Sequence, residues 1–188
     1  MAANLKIVIV GDGAVGKTSL LYVYTNGSFP EDYVPTVYDD YTKNETYQSQ
    51  SVNLSLWDTA GQEEYANVRT LSYDDTDVYL LAYSCVQKES LQAIKAKWMP
   101  ELQANSKSKK PVMILVGTKV DLRDSQPDSP DNVSDAAAEA IANEVGASAH
   151  ITCSAKENIR VSDVFMKALE VHFQLSAPKK EKGCCTIL

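Results

Sequence analysis

LKIVIVGDGAVGKTSL, residues 5–20, begins as an apolar, β-branched run and ends as the opening of a helix. Residues 5–10 read as a buried strand, because a continuous apolar run is bounded by a turn signal. The strand stops at Gly11-Asp12-Gly13-Ala14-Val15-Gly16-Lys17-Thr18. A strand, then G-x-x-x-x-G-K-[ST], then a helix is the arrangement of a phosphate-binding loop. Glycines are needed there because the backbone takes conformations closed to a residue with a Cβ and must come close to phosphate. The loop N–H groups sit at a helix N-terminus, whose dipole adds to their attraction for anions. Lys17 is suited to neutralising β- and γ-phosphates, and the Thr18 hydroxyl to ligating Mg²⁺.

Working outward, the helix continues over residues 18–24 and ends at Asn26-Gly27. Residues 28–40, SFPEDYVPTVYDD, carry prolines at 30 and 35 and no helical period, so they read as a long exposed loop. Pro35 biases Val34 toward an extended conformation. The segment then either presents Thr36 to a metal or is a mobile connection with an incidental threonine; these residues alone leave both open. Residues 38–47 and 51–58 read as two strands joined by a polar turn at 48–50, an antiparallel hairpin. Val52, Leu54 and Leu56 alternate with Asn53, Ser55 and Trp57, so one face is buried. The second strand runs into Asp58-Thr59-Ala60-Gly61-Gln62-Glu63. Asp58 can hold Mg²⁺ through its water shell, the Gly61 N–H can touch a γ-phosphate, and Gln62 can orient an attacking water.

Residues 77–84 and 111–117 are continuous apolar runs, as in parallel strands covered on both faces, and residues 90–98 supply a helix between them. The second run empties into Thr118-Lys119-Val120-Asp121. The two oxygens of Asp121 can accept N1–H and N2–H₂ of guanine, a donor pair that adenine lacks. The Lys119 stem can lie over the base and brace the phosphate loop. Ser134 caps a helix that runs through Val145 and is closed by Gly146. Residues 150–153 form a short strand ending in Ser154-Ala155-Lys156, whose backbone N–H groups can donate to guanine O6. The last helix, residues 161–175, puts Val161, Val164, Phe165, Ala168 and Leu169 on one face. This order of elements predicts a doubly wound α/β domain with its ligand at the carboxyl ends of the parallel strands. His150 and His172 have no companion ligands or nucleophile and read as structural or solvent-facing.

With 188 residues, 44% hydrophobic and 23% charged, the chain is expected to form one globular domain. A net charge of −7 opposes a nucleic-acid partner. No charged and apolar leader opens the chain and no apolar run is long enough for a bilayer, so the body is expected to be soluble and cytosolic. Cys85 and Cys153 close apolar runs and read as small core residues. The tail, 178–188, is PKKEKGCCTIL. Its last four residues fit C-a-a-X, and the terminal leucine favours a geranylgeranyl group on Cys185. One lipid anchors only marginally, and Lys179, Lys180 and Lys182, offset by Glu181, add little. A palmitoyl group on Cys184, or cycling off the membrane on a lipid-masking protein, would complete the picture. The first arginine is Arg69, read as lying beyond the Gly61 segment. The charge of a phosphoryl-transfer transition state is therefore expected to be met by an arginine supplied in trans.

The ordered set GDGAVGKT, Thr36 within VPTVY, WDTAGQE, TKVD and SAK resembles the small GTPases of the Ras superfamily over essentially the whole chain. Within it YVPTVYDDY, VNLSLWDTAGQEEY, AKWMPEL and GTKVDLRD are most similar to the Rho/Rac family. The resemblance implies a P-loop NTPase G domain over residues 1–177, with a mostly parallel doubly wound sheet, one antiparallel strand and helices on both faces. Residues 178–188 would be a flexible tail. It also implies a switch that binds GDP or GTP with Mg²⁺, hydrolyses GTP slowly and signals to the actin cytoskeleton through effectors. An exchange factor, a GTPase-activating protein and a dissociation inhibitor would be its regulators, and the cytoplasmic face of membranes, the plasma membrane above all, its location. By position, Gly13, Ala14, Val15, Gly16, Lys17 and Thr18 would hold phosphates, with Ser19, Thr118, Lys119, Asp121, Ser154, Ala155 and Lys156 completing the nucleotide site. Phe29 would pack on the base, Tyr33 would close over the phosphates, and Gly61 would sense the γ-phosphate. Thr18, Thr36 and Asp58 would hold the metal, while Gln62, Lys17 and Gly13 would serve catalysis. The chain departs from the family in a shorter segment, DSQPDSPDNV at 124–133, where a charged helical insertion is usual; its prolines oppose a helix. Ala66-Asn67-Val68 and Thr70 replace more basic and proline-containing residues, and SAK is more like Ras or Rab proteins. An ATPase or small-molecule kinase would have no use for Asp121, and a switch locked with GTP is opposed by the intact Gly13 and Gln62.

Overall fold

The computed structural model describes residues 3–31, 36, 38–107 and 111–176; Tyr33, the 178–188 tail and Cys185 lie outside these residues. Six strands form one sheet: β1 (Ala3–Val10), β2 (Tyr38–Tyr47), β3 (Gln50–Thr59), β4 (Val78–Ser84), β5 (Val112–Thr118) and β6 (Ala149–Thr152). Their order is β2-β3-β1-β4-β5-β6. β2 is antiparallel to β3 and every other neighbour is parallel. The mixed sheet expected of a P-loop GTPase domain is therefore present. In the hairpin turn Gln48 and Ser49 both take positive φ, the handedness that matches strand twist in a two-residue connection.

β1 sits between β3 and β4, which is why its residues 7–10 are apolar without alternation. Leu5, Ile7 and Ile9 face one core layer, packed under α1 (Lys17–Asn26) and the last helix. Val8 and Val10 face a second layer with Trp98, Leu102 and Ile141. In the first layer Tyr24 of α1 stacks on Phe165 at 3.7 Å between ring centroids. Val52, Leu54 and Leu56 of β3 are fully buried while Asn53, Ser55 and Trp57 are half-buried, as the alternation requires.

Between these strands lie α2 (Ala66–Thr70), α3 (Lys88–Ala93), α4 (Met99–Asn105), α5 (Val120–Ser125), α6 (Asp135–Val145) and α7 (Val161–Ser176). Single turns of 3₁₀ helix, Glu63–Tyr65 and Leu71–Tyr73, flank α2. The helix expected at 90–98 is longer: a wide π turn, Ile94–Trp98, joins α3 to α4. Pro100, a helix breaker by local rules, is accommodated because the Met99 N–H bonds to the Ile94 carbonyl one residue further back than in an α-helix. In the 124–133 segment, whose prolines oppose a helix, Asp124 and Ser125 still belong to the end of α5, and residues 126–133 carry no helix. The last short strand runs one residue ahead of its expected span. Ser134 Oγ accepts the Ala137 N–H at 3.2 Å, and Gly146 closes α6 at φ 71°.

Cys85 and Cys153 are buried, and burial pushes their thiols up to about 11 and about 12, far from reactive thiolates. His150 is held between the Tyr83 hydroxyl (2.9 Å) and Glu139 (3.1 Å), and His172 meets the edge of Phe173. Both histidines are packed as structural side chains. Among the described residues no helix is long and apolar enough to cross a membrane.

Candidate functional site

The loops that follow β1, β3 and β5 gather at the carboxyl ends of the parallel strands. Gly16, at φ 103°, caps α1 without a side-chain hydrogen bond, which leaves the helix N-terminus to an external acceptor. The left-handed conformation there suits glycine. Lys17 folds back over the loop, its Nζ donating to the carbonyls of Gly11 (2.8 Å) and Asp12 (2.9 Å). Burial pulls its ammonium down to about 8 against the opposing pull of Asp58 and Asp12. An anion beside it would restore the ordinary value.

Thr18 Oγ1 and Thr36 Oγ1 are 2.5 Å apart, and Thr36 Oγ1 donates to Asp58 Oδ2 at 3.2 Å. Asp58 is fully buried at the end of β3, and its Oδ1 has no hydrogen-bond partner. Burial raises its pKa above the usual carboxylate range, partly opposed by Thr18 and by Lys17. A buried carboxylate oxygen without a donor is costly, and a cation removes the cost. Two hydroxyls and one carboxylate are hard oxygen ligands, which fits Mg²⁺ completed by water and phosphate oxygens.

A cavity of about 370 Å³ opens above this group, lined by Gly13, Ala14, Gly16, Lys17, Thr18, Ser19, Phe29, Thr36, Gly61, Gln62 and Lys119. Gly61 lies directly on the phosphate loop. A Cβ there would stand 2.3 Å from the Gly13 nitrogen and 2.4 Å from the Asp12 carbonyl carbon, so only glycine allows the approach. Gly13 is the opposite case, since a Cβ at that position meets nothing within 4 Å.

A second cleft, about 210 Å³, shares Gly16, Ser19, Phe29 and Lys119 with the first and adds Thr118, Asp121, Leu122, Cys153, Ala155 and Lys156. Apolar walls with one carboxylate at the end suit a planar heterocycle that offers a pair of donors. Lys119, at φ 58°, donates from Nζ to the Ala14 carbonyl at 2.7 Å, bracing the phosphate loop as its spacing predicts. Thr118 Oγ1 bonds the carbonyls of Val15 and Tyr83 and so ties β5 to the loop. Val15 and Ser154 line neither cavity. Val15 is buried under the loop, and Ser154 shapes the turn after β6, its Oγ accepting the Glu157 N–H at 3.0 Å.

The structure also brings in residues that sequence reasoning passed over. Trp98 donates its indole N–H to Asp12 at 2.9 Å. Arg69 is not beyond the Gly61 segment but part of it: its Nη1 donates to the carbonyls of Ala60 (2.7 Å) and Gln62 (3.1 Å). One short helix, α2, folds back over the turn that precedes it and so brings Arg69 onto this segment. The signals available were a lone arginine after WDTAGQEEY and a tryptophan in AKWMPEL, neither of which points to the other.

The Ras family model matches residues 6–174, from the first strand to the last helix. That span takes in the phosphate loop, the Asp58 turn and the Asp121 cleft, and the chain belongs to the Ras family of small GTPases, switches that bind GTP or GDP, typically with Mg²⁺, and hydrolyse GTP.

Proposed function

We propose that this small GTPase is a Rho/Rac-type switch that acts on the actin cytoskeleton through effectors, held at the cytoplasmic face of the plasma membrane by a geranylgeranyl group on Cys185. The observation that carries the switch reading is the meeting of Thr18, Thr36 and Asp58, with the orphaned Asp58 Oδ1, beside Lys17. In this reading Thr18 and Thr36 hold the metal directly and Asp58 holds it through water. Bound Mg²⁺ supplies positive charge to the β- and γ-phosphate oxygens. Lys17 and the N–H groups of residues 13–18 bind the same phosphates, Asp121 and residues 154–156 read guanine, and Phe29 covers the base. Gln62 orients the attacking water and Gly61 senses the γ-phosphate. The Rho/Rac assignment rests on YVPTVYDDY, WDTAGQEEY and AKWMPEL, and brings with it exchange factors, activating proteins and a dissociation inhibitor.

Thr36 and Gly61 sit on two different segments that meet on the γ-phosphate side, so loss of that phosphate releases both together. Hydrogen exchange on residues 28–40 and 61–70 tests this. Protection is expected with a non-hydrolysable GTP analogue and loss of protection in both segments with GDP. Equal protection in the two states contradicts the switch.

The membrane part stands on the tail alone. Cys185→Ser is expected to move the protein wholly to the soluble fraction, and Cys184→Ser only to weaken attachment. A Cys185→Ser protein that still pellets with membranes refutes the lipid anchor.

A further inference from the structure

Arg69 is 1% exposed, although it lies in the five-residue helix α2, where it is the buried residue. A guanidinium taken that far from water has to have its donors matched. Its Nε and Nη2 grip the two oxygens of Glu101 in α4 at 2.9 and 2.6 Å, a bidentate fork. Glu101 also accepts the Tyr73 hydroxyl. Burial pushes the Glu101 carboxyl up, but these donors outweigh it and hold the carboxyl below the usual range. The remaining arm, Nη1, reaches the carbonyls of Ala60 and Gln62.

The same stretch of helix makes two further connections. Lys97 Nζ donates to the Gly61 carbonyl at 3.3 Å, so the carbonyls of residues 60, 61 and 62 are all held. Trp98 lies under the Arg69 guanidinium, 4.7 Å from its ring centroid, and bonds Asp12 of the phosphate loop. A peptide unit is planar and trans, so its N–H points opposite its C=O. Holding the Ala60 carbonyl therefore aims the Gly61 N–H, and holding the carbonyls of Gly61 and Gln62 fixes the backbone that carries the Gln62 side chain. One helix thus sets the position of the phosphate loop and of the segment facing it.

We propose that Arg69 is a positioning residue for GTP hydrolysis, acting through the Ala60 and Gln62 carbonyls, with Glu101 and Trp98 as its anchors. The inference rests on the GTPase reading of the site. It is tested with Arg69→Lys, which keeps the buried charge but, as a single compact ammonium, cannot serve Glu101 and two carbonyls in one fixed geometry. Single-turnover GTP hydrolysis is expected to fall roughly tenfold or more, while GDP affinity changes by less than about twofold, because orientation rather than nucleotide binding is lost. A variant that hydrolyses at the wild-type rate, or that loses GDP affinity as much as rate, overturns the proposal. Should Arg69→Lys not fold, Glu101→Gln takes its place, since it leaves one neutral acceptor for the fork. A rate loss of about threefold or more at unchanged affinity supports the proposal, and an unchanged rate overturns it. Wild-type protein in the same assay separates the two levels. If it hydrolyses no GTP, the functional reading fails; if it does and the variants match it, only the positioning role fails.

Discussion

Asp121→Asn is expected to lower GTP affinity by roughly 10²- to 10⁴-fold and to shift preference toward xanthine nucleotides. Asp121 lines the second cleft together with Phe29, Leu122, Ala155 and Lys156. A carboxylate there can accept from both N1–H and N2–H₂ of guanine, each a charge-assisted bond of about 1.5–3 kcal/mol. Asparagine offers one acceptor and one donor, so its NH₂ would face the guanine amine, donor against donor. Xanthine carries a carbonyl at C2 and accepts from that same NH₂. The fold should be untouched, because Asp121 is half-buried and the stretch around it is held by Thr118 and Lys119. Displacement of labelled GDP by GTP, XTP and ATP measures the order of preference. Equal GTP affinity in the two proteins refutes the base-reading role.

Gln62→Leu is expected to abolish hydrolysis stimulated by a GTPase-activating protein while leaving GTP affinity nearly unchanged. The structure strengthens the case for an arginine supplied in trans. Arg69 is committed to Glu101 and the carbonyls of Ala60 and Gln62, Arg123 to Asp124 and Asp135, and Arg160 to Thr152. None of these arginines lines the phosphate cavity, and an external one is worth roughly 10³ to 10⁵ in rate. Leucine fills the place of Gln62 but can neither orient a water nor accept from an incoming side chain. Stopped-flow phosphate release with and without the activating protein's catalytic domain reads the effect. Stimulation of Gln62→Leu to the wild-type rate contradicts the role of Gln62.

Much of this arrangement was legible because its signals are local. The phosphate loop is a spacing rule within eight residues, and the alternation of Val52, Leu54 and Leu56 announces a face of β3. The caps Gly27, Ser134 and Gly146 act within one turn of the residues they terminate. What escaped reading depends on distance along the chain. The Arg69–Glu101 pair spans 32 residues and the Trp98–Asp12 bond 86. Neither leaves a period or a motif, so local spacing puts Arg69 past the segment it braces. The continuation of the 90–98 helix through Pro100 is hidden for a related reason. Local rules stop a helix there, but Trp98 and Leu102 are buried in the second core layer, and packing carries the helix through on a π turn. Residues 63–73 form turns too short to show a period, with Leu71 78% exposed. The place of Asp58 at the end of a strand points to a metal group, but its burial and its orphaned Oδ1 are properties of the folded site alone.

The most direct test of the site as a guanine-nucleotide hydrolase is single-turnover release of phosphate from GTP preloaded on the purified protein in Mg²⁺. One phosphate per protein is expected, at a rate on the order of 10⁻³ s⁻¹ or slower, dependent on Mg²⁺ and absent with ATP. Turnover at about one per second without a partner, or GTP that stays intact on a folded, Mg²⁺-loaded protein for many hours, would contradict it.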